Sequence, residues 1–104
     1  MIIINTPDIP NKKVMEVHGI ARGSTLRARI VARDIFASLK NIVGGEISEY
    51  TRLQAESREQ ALQRMKEDAK KMGANAIINV RLTTSMVMQG CSEILAYGTA
   101  VTVD

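Results

Sequence analysis

The chain has 104 residues, enough for one domain, residues 1–104, around one core. Hydrophobic residues make up 45% and charged residues 24%, which argues against disorder, while 3% aromatics leave the core to Ile, Val, Leu, Met and Ala. The net charge of +3 divides into +4 over residues 1–43 (7 Lys and Arg against 3 Asp and Glu) and −1 over residues 44–104 (7 against 8); with no interleaving of aromatic and basic residues, this argues for a solvated surface and against a nucleic-acid partner.

Met1 and the three isoleucines after it are far too short to cross a membrane and read as a first strand. Residues 5–11 form a turn region, with Pro7, Pro10 and the turn formers Asn5, Asp8 and Asn11. Residues 14–21 read as a second strand, with Val14, Glu16, His18 and Ile20 on one face and Met15, Val17, Gly19 and Ala21 on the other. Arg22, Gly23, Ser24 and Thr25 punctuate it, and Ser24 or Thr25 caps a helix expected to run to Val43 on Leu26, Ile30, Val31, Ile35, Leu39 and Ile42. Gly44 and Gly45 break that helix. A second helix is expected from residues 46–49 to Met72, with Tyr50, Leu53, Ala61, Met65, Ala69 and Met72 near one stripe. Lys70 and Lys71 suit its carboxyl end, and Gly73 is the residue expected to stop it with positive φ.

The clearest strand follows. Ala76, Ile78, Val80, Leu82, Met86 and Met88 alternate with Asn79, Arg81, Thr83 and Ser85. Gln89 and Gly90 form a turn, and residues 91–103 return as the last strand. The predicted order is β-β-α-α-β-β, an α+β fold with an antiparallel sheet and two helices on one face. The last strand is apolar or small on both sides: Leu95, Tyr97, Val101 and Val103 on one, Ile94, Ala96, Gly98 and Ala100 on the other. Two helices cover one face of so small a sheet, so a second copy is expected on the other, making a homo-oligomer. The single cysteine excludes a disulfide within the chain, and with no signal-like start it points to a reducing, cytoplasmic setting.

Several stretches together resemble the small bacterial YbjQ-like family. They are Gly19-Ile-Ala-Arg-Gly-Ser24, Ile42-Val-Gly-Gly-Glu46 with Tyr50, Ala61-Leu-Gln-Arg-Met65, Gly73-Ala-Asn-Ala-Ile77 with Arg81, and Ala96-Tyr-Gly-Thr-Ala-Val101. They span nearly the whole chain in order. The resemblance implies a fold similar to the dodecin-subunit type, a ring-like pentamer, and a soft or heavy metal ion as ligand, with no established activity.

Three groups of residues are candidates for chemistry. Soft metals prefer thiolate, thioether and imidazole, which points to Cys91, Met86 and Met88 around the last turn and to His18; with one Cys and one His, a subunit cannot close a tetrahedral site. Arg22, Gly23, Ser24 and Thr25, with Arg27, could bind a small anion or nucleotide at a helix start. Glu16 and His18, joined by Arg81 and Glu93, could form an acid–base set in a site between subunits of an enzyme. The residues favour a non-enzymatic oligomeric binding protein, with metal as the ligand the resemblance suggests.

Overall fold

The computed structural model describes residues 1–27, 48–88 and 91–104, the side chains of residues 27 and 48–51 apart. The elements are β1 (Ile2–Ile3), β2 (Val14–Arg27), α1 (Ser48–Met72), β3 (Ala76–Met88) and β4 (Cys91–Val103). They build one four-stranded sheet in the order β1-β3-β4-β2. β4 lies between β2 and β3 and is antiparallel to both; β1 runs parallel to β3, with Ile2 opposite Ala76 and Ile3 opposite Ile77.

α1 packs across β2 and β4 because most of the residues in that contact are small, with Met65 and Ile94 filling the space between. Ser57, Ala61, Met65 and Ala69, four residues apart, are buried along one stripe of the helix. Below them lie Ala21, Gly23 and Thr25 of β2 and Ile94, Ala96 and Ala100 of β4. At Gly23 the two backbones meet: a Cβ there would overlap the Met65 amide nitrogen and the Ala61 carbonyl oxygen. The Thr25 hydroxyl, buried in this contact, donates to the Ser57 carbonyl at 2.7 Å.

The helix ends as its sequence predicts. Gly73 has φ +89°, the Gly73 amide donates to the Lys70 carbonyl, and the Ala74 amide donates to Ala69. This paired closure satisfies carbonyls that the last turn would leave open. On the opposite face a second, smaller core of Ala76, Ile78, Val101 and Val103 is covered by Ile9 and Val14.

Two expectations are corrected. The sheet is mixed rather than antiparallel, and among the described residues one helix, not two, lies on a face, in the order β-β-α-β-β. The expected first helix cannot begin at Ser24 or Thr25, because both sit in β2 opposite Leu95 and Ile94. Gly23 is there to admit the backbone of α1, and Thr25 spends its hydroxyl on α1 rather than on a cap of its own. The remainder of that expected helix, its break at Gly44 and Gly45, and the turn at Gln89 and Gly90 lie outside the described residues.

Candidate functional site

The two outer edges of the sheet are treated differently. Along β2, the Arg22 amide donates to Asp68 Oδ2 of α1 at 3.0 Å, and Arg64 of α1 donates to the Ser24 carbonyl. Nearer its start, β2 has register shifts that leave Met15 and His18 as extra residues, with the charged Glu16 between them. Bulges, charges and a covering helix are the devices that stop an edge strand from recruiting another chain.

Among the described residues, β3 has such protection only at its beginning. The Ile4 amide donates to the Ile77 carbonyl, the Val80 amide to Ile4, and the Asn79 amide to Thr6. Beyond residue 80 this cover stops, and residues 81–88 are all exposed. Residues 82–88 read Leu-Thr-Thr-Ser-Met-Val-Met, without a charge or a proline. Their ladder to β4 is regular from Arg81 to Met86 and shifts only at Val87. Among the described residues no hydrogen bond reaches their outer edge.

An open apolar groove of about 600 Å³ adjoins this edge, lined by Ile3, Ile4, Asn5, Thr6, Leu62, Val80 and Leu82. Among the described residues it is left by α1, which lies toward β2 and away from the β1–β3 side of the same face. The composition of residues 82–88 was visible in the sequence; their place on an edge needed the sheet order.

The soft donors stay apart. Every His, Cys and Met of the chain is among the described residues. Met65 is fully buried, and Met72 is packed against the same core. The His18 Nε2 lies 2.7 Å from the Thr102 hydroxyl, at the end of β4, whereas Cys91 begins that strand. Eleven residues at about 3.3 Å each put them about 36 Å apart. Met88 is the register partner of Cys91, while Met86 faces Ser92; both methionines are largely exposed, at 76% and 65% for Met86 and Met88. Among the described residues there is no group of three or more His, Cys, Asp or Glu side chains able to hold a metal ion. The described residues of one subunit therefore offer a two-donor pair, Met88 and Cys91, which does not by itself complete a metal centre.

The acid–base set is only partly assembled. Glu16 is the register partner of Thr102, whose hydroxyl meets His18, so all three residues lie at one end of the sheet. That hydroxyl also lies 3.4 Å from the Gly73 carbonyl. If it donates there, His18 Nε2 is the donor to it, which fixes the ring as part of the α1 terminus. Glu16 is exposed and shares no hydrogen bond with His18. Arg81 and Glu93 do not join them: Arg81 faces Tyr97 and donates to the Asn5 and Val80 carbonyls, and Glu93 faces Ser85 and Leu26.

The helix-start site is likewise rearranged. Arg22, Gly23, Ser24, Thr25 and Arg27 are strand residues, and the anion that the Arg22 amide attracts is the Asp68 carboxylate. The side chain of Arg27 lies outside the described residues.

Among the described residues, fold and surface define a class: a small α+β protein with one helix on a mixed sheet and a strand edge, at residues 82–88, that is uncharged and unpaired. No described helix is long and apolar enough to cross a membrane. The family model described as "Putative heavy-metal-binding" matches residues 1–104, and the chain belongs to this YbjQ-like family. A UPF0145 protein of Pyrococcus furiosus is 55% identical over 104 residues, covering 100% of this chain and 91% of that one. A UPF0145 protein of Methanosarcina acetivorans is 54% identical over 101 residues, 97% and 95% of the two chains. One from Dehalococcoides mccartyi strain BAV1 is 53% identical over the whole of both. The crystal structure of a DUF74-family protein of unknown function from Pediococcus pentosaceus matches the fold with a TM-score of 0.65 at 14% identity, covering 100% of this chain and 98% of that one.

Proposed function

We propose that this chain is a non-enzymatic binding protein that works as a homo-oligomer, its subunits joined along the bare edge of β3 and the groove beside it. The observation that carries this reading is the run of exposed, uncharged residues at 82–88 on a strand edge with no hydrogen-bond partner among the described residues. An unguarded edge of this kind pairs with another strand, and the exposed Leu82, Met86, Val87 and Met88 supply apolar contact on both of its faces. Residues 82–86 also lack any charge that would repel a second copy of themselves. The ring of five implied by the family resemblance suits such a contact, since an edge meeting a different surface of the next copy closes into a ring when the rotation allows.

The surface differs from the one expected of β4. Ile94 and Ala96 are buried under the chain's own helix, so charges there would damage the subunit core rather than report on assembly. The heavy-metal role enters only through assembly: copies of the Met88–Cys91 pair gathered by symmetry would supply the soft donors that one subunit lacks.

Light scattering of wild type beside a Met86→Lys, Val87→Lys double variant tests the reading. Wild type is expected as an oligomer at micromolar concentration and the variant as a folded monomer. A monomeric wild type would refute it. Chelator treatment should leave the melting temperature unchanged and the untagged protein should carry substoichiometric metal, because the described residues of one subunit bring only Met88 and Cys91 together as soft donors.

A further inference from the structure

The sheet register creates an arrangement that the linear sequence conceals. Tyr97, in the central strand β4, faces Arg22 on β2 and Arg81 on β3. Register partners of an antiparallel sheet project from the same face, so the three side chains form one row, Arg22–Tyr97–Arg81, on the face away from α1. The backbones of the two arginines are about 10 Å apart, two strand spacings, with that of Tyr97 between them, and the Arg81 guanidinium turns to the Asn5 and Val80 carbonyls.

This row is polar at its ends, aromatic at its centre and open. Tyr97 is 38% exposed and Arg22 and Arg81 are exposed. The cover given by Ile9 and Val14 stops at the end of the face that holds Val101 and Val103. Around Tyr97 the face carries Leu95, Thr99, Ile20, Ser24 and Thr83, none of them acidic. The nearest acid on that face of β4 is Glu93, four residues or about 13 Å along the strand. Asp68 takes the backbone amide of Arg22 and not its guanidinium. Among the described residues the Arg22 guanidinium and the Tyr97 hydroxyl have no hydrogen-bond or ion-pair partner, whereas Arg81 is partly engaged by the Asn5 and Val80 carbonyls.

We infer that Arg22, Tyr97 and Arg81 form a binding strip for a phosphorylated aromatic ring, the chemistry of a nucleotide, with the ring stacked on Tyr97 and the phosphate held by Arg22. An exposed aromatic on a sheet gives a flat apolar platform that accepts any base. A planar guanidinium gives a forked donor that matches phosphate oxygens. Arg81, tethered to the N-terminal segment, flanks the ring and adds positive potential without having to leave its carbonyl partners. The site lies on the opposite face from α1 and does not depend on the assembly proposed above.

Isothermal titration with AMP, adenosine, ribose 5-phosphate and a single-stranded octa-adenylate tests this. AMP is expected to bind wild type about ten-fold or more tightly than either adenosine or ribose 5-phosphate, because each of those lacks one half of the ligand. Arg22→Gln should lose about ten-fold for AMP and little for adenosine, Tyr97→Leu should lose for both, and Tyr97→Phe should bind as wild type does. In a Tyr50→Phe background, where Tyr97 is the last tyrosine and there is no tryptophan, AMP should quench the tyrosine emission. Octa-adenylate binding more than about ten-fold tighter than AMP would assign the ligand to a nucleic-acid strand, and comparable affinities to the free nucleotide. A wild type that binds no AMP, or an AMP affinity unmoved by both Arg22→Gln and Tyr97→Leu, would overturn the inference.

Discussion

β2 and β3 flank the same central strand, yet among the described residues one edge is closed and the other is open. Asp68 and Arg64 of α1 hold the backbone of β2 at Arg22 and Ser24, and the two shifts near its start bend what remains. β3 is guarded only as far as residue 80 by the N-terminal segment, and from 82 it offers seven residues without a charge. The difference follows from where the helix sits. α1 can approach β2 closely because Gly23 has no side chain, and having settled there it leaves the β1–β3 side of the face without cover from the other described elements. A small-residue contact on one side of the sheet thus exposes an apolar surface on the other, and that surface is what a second copy would cover.

The largest expected effect comes from moving the helix off β2. Gly23→Ala places a methyl group against helix backbone that no rotamer change relieves, and should destabilise the subunit by about 1–3 kcal/mol in thermal or urea unfolding. An unchanged melting temperature would mean that α1 does not lie on Gly23. Next is Gly73→Val, which puts a β-branched residue at φ +89° and should cost about 1–2 kcal/mol through left-handed strain. Asp68→Ala removes the acceptor of the Arg22 amide and should cost about 1 kcal/mol, since water can replace it at this exposed position. The smallest change in subunit stability belongs to the β3 edge. Met86→Lys with Val87→Lys should shift subunit stability by no more than about 0.5 kcal/mol for each substitution, because both side chains are already exposed.

Much of this fold was legible in the sequence. The alternation from Ala76 to Met88 and the run from Cys91 to Val103 gave both strands their observed bounds, and Gly73 with its preceding lysines located the end of α1. Arg22 to Thr25 misled because glycine, serine and threonine are turn and cap residues by local preference. Tertiary contact overrode that preference: Gly23 makes room for Met65 and Ala61, and Thr25 bonds Ser57. The parallel pairing of β1 could not be read from Ile2 and Ile3, because a two-residue strand carries no signal of its partner. The same limit hid the two proposed surfaces. Arg22, Arg81 and Tyr97 come from three distant stretches, and only strand register sets them in one row.

Amide hydrogen exchange at residues 82–88 tests the open edge of β3 most directly. At a concentration where light scattering finds the oligomer, the outward-facing amides of this segment should be protected in wild type, because they donate hydrogen bonds to the carbonyl oxygens of a neighbouring strand. In the Met86→Lys, Val87→Lys variant they should exchange as free amides while the amides of β4 stay protected. Rapid exchange at 82–88 in an oligomeric wild type would contradict the account and place the contact between subunits on another surface.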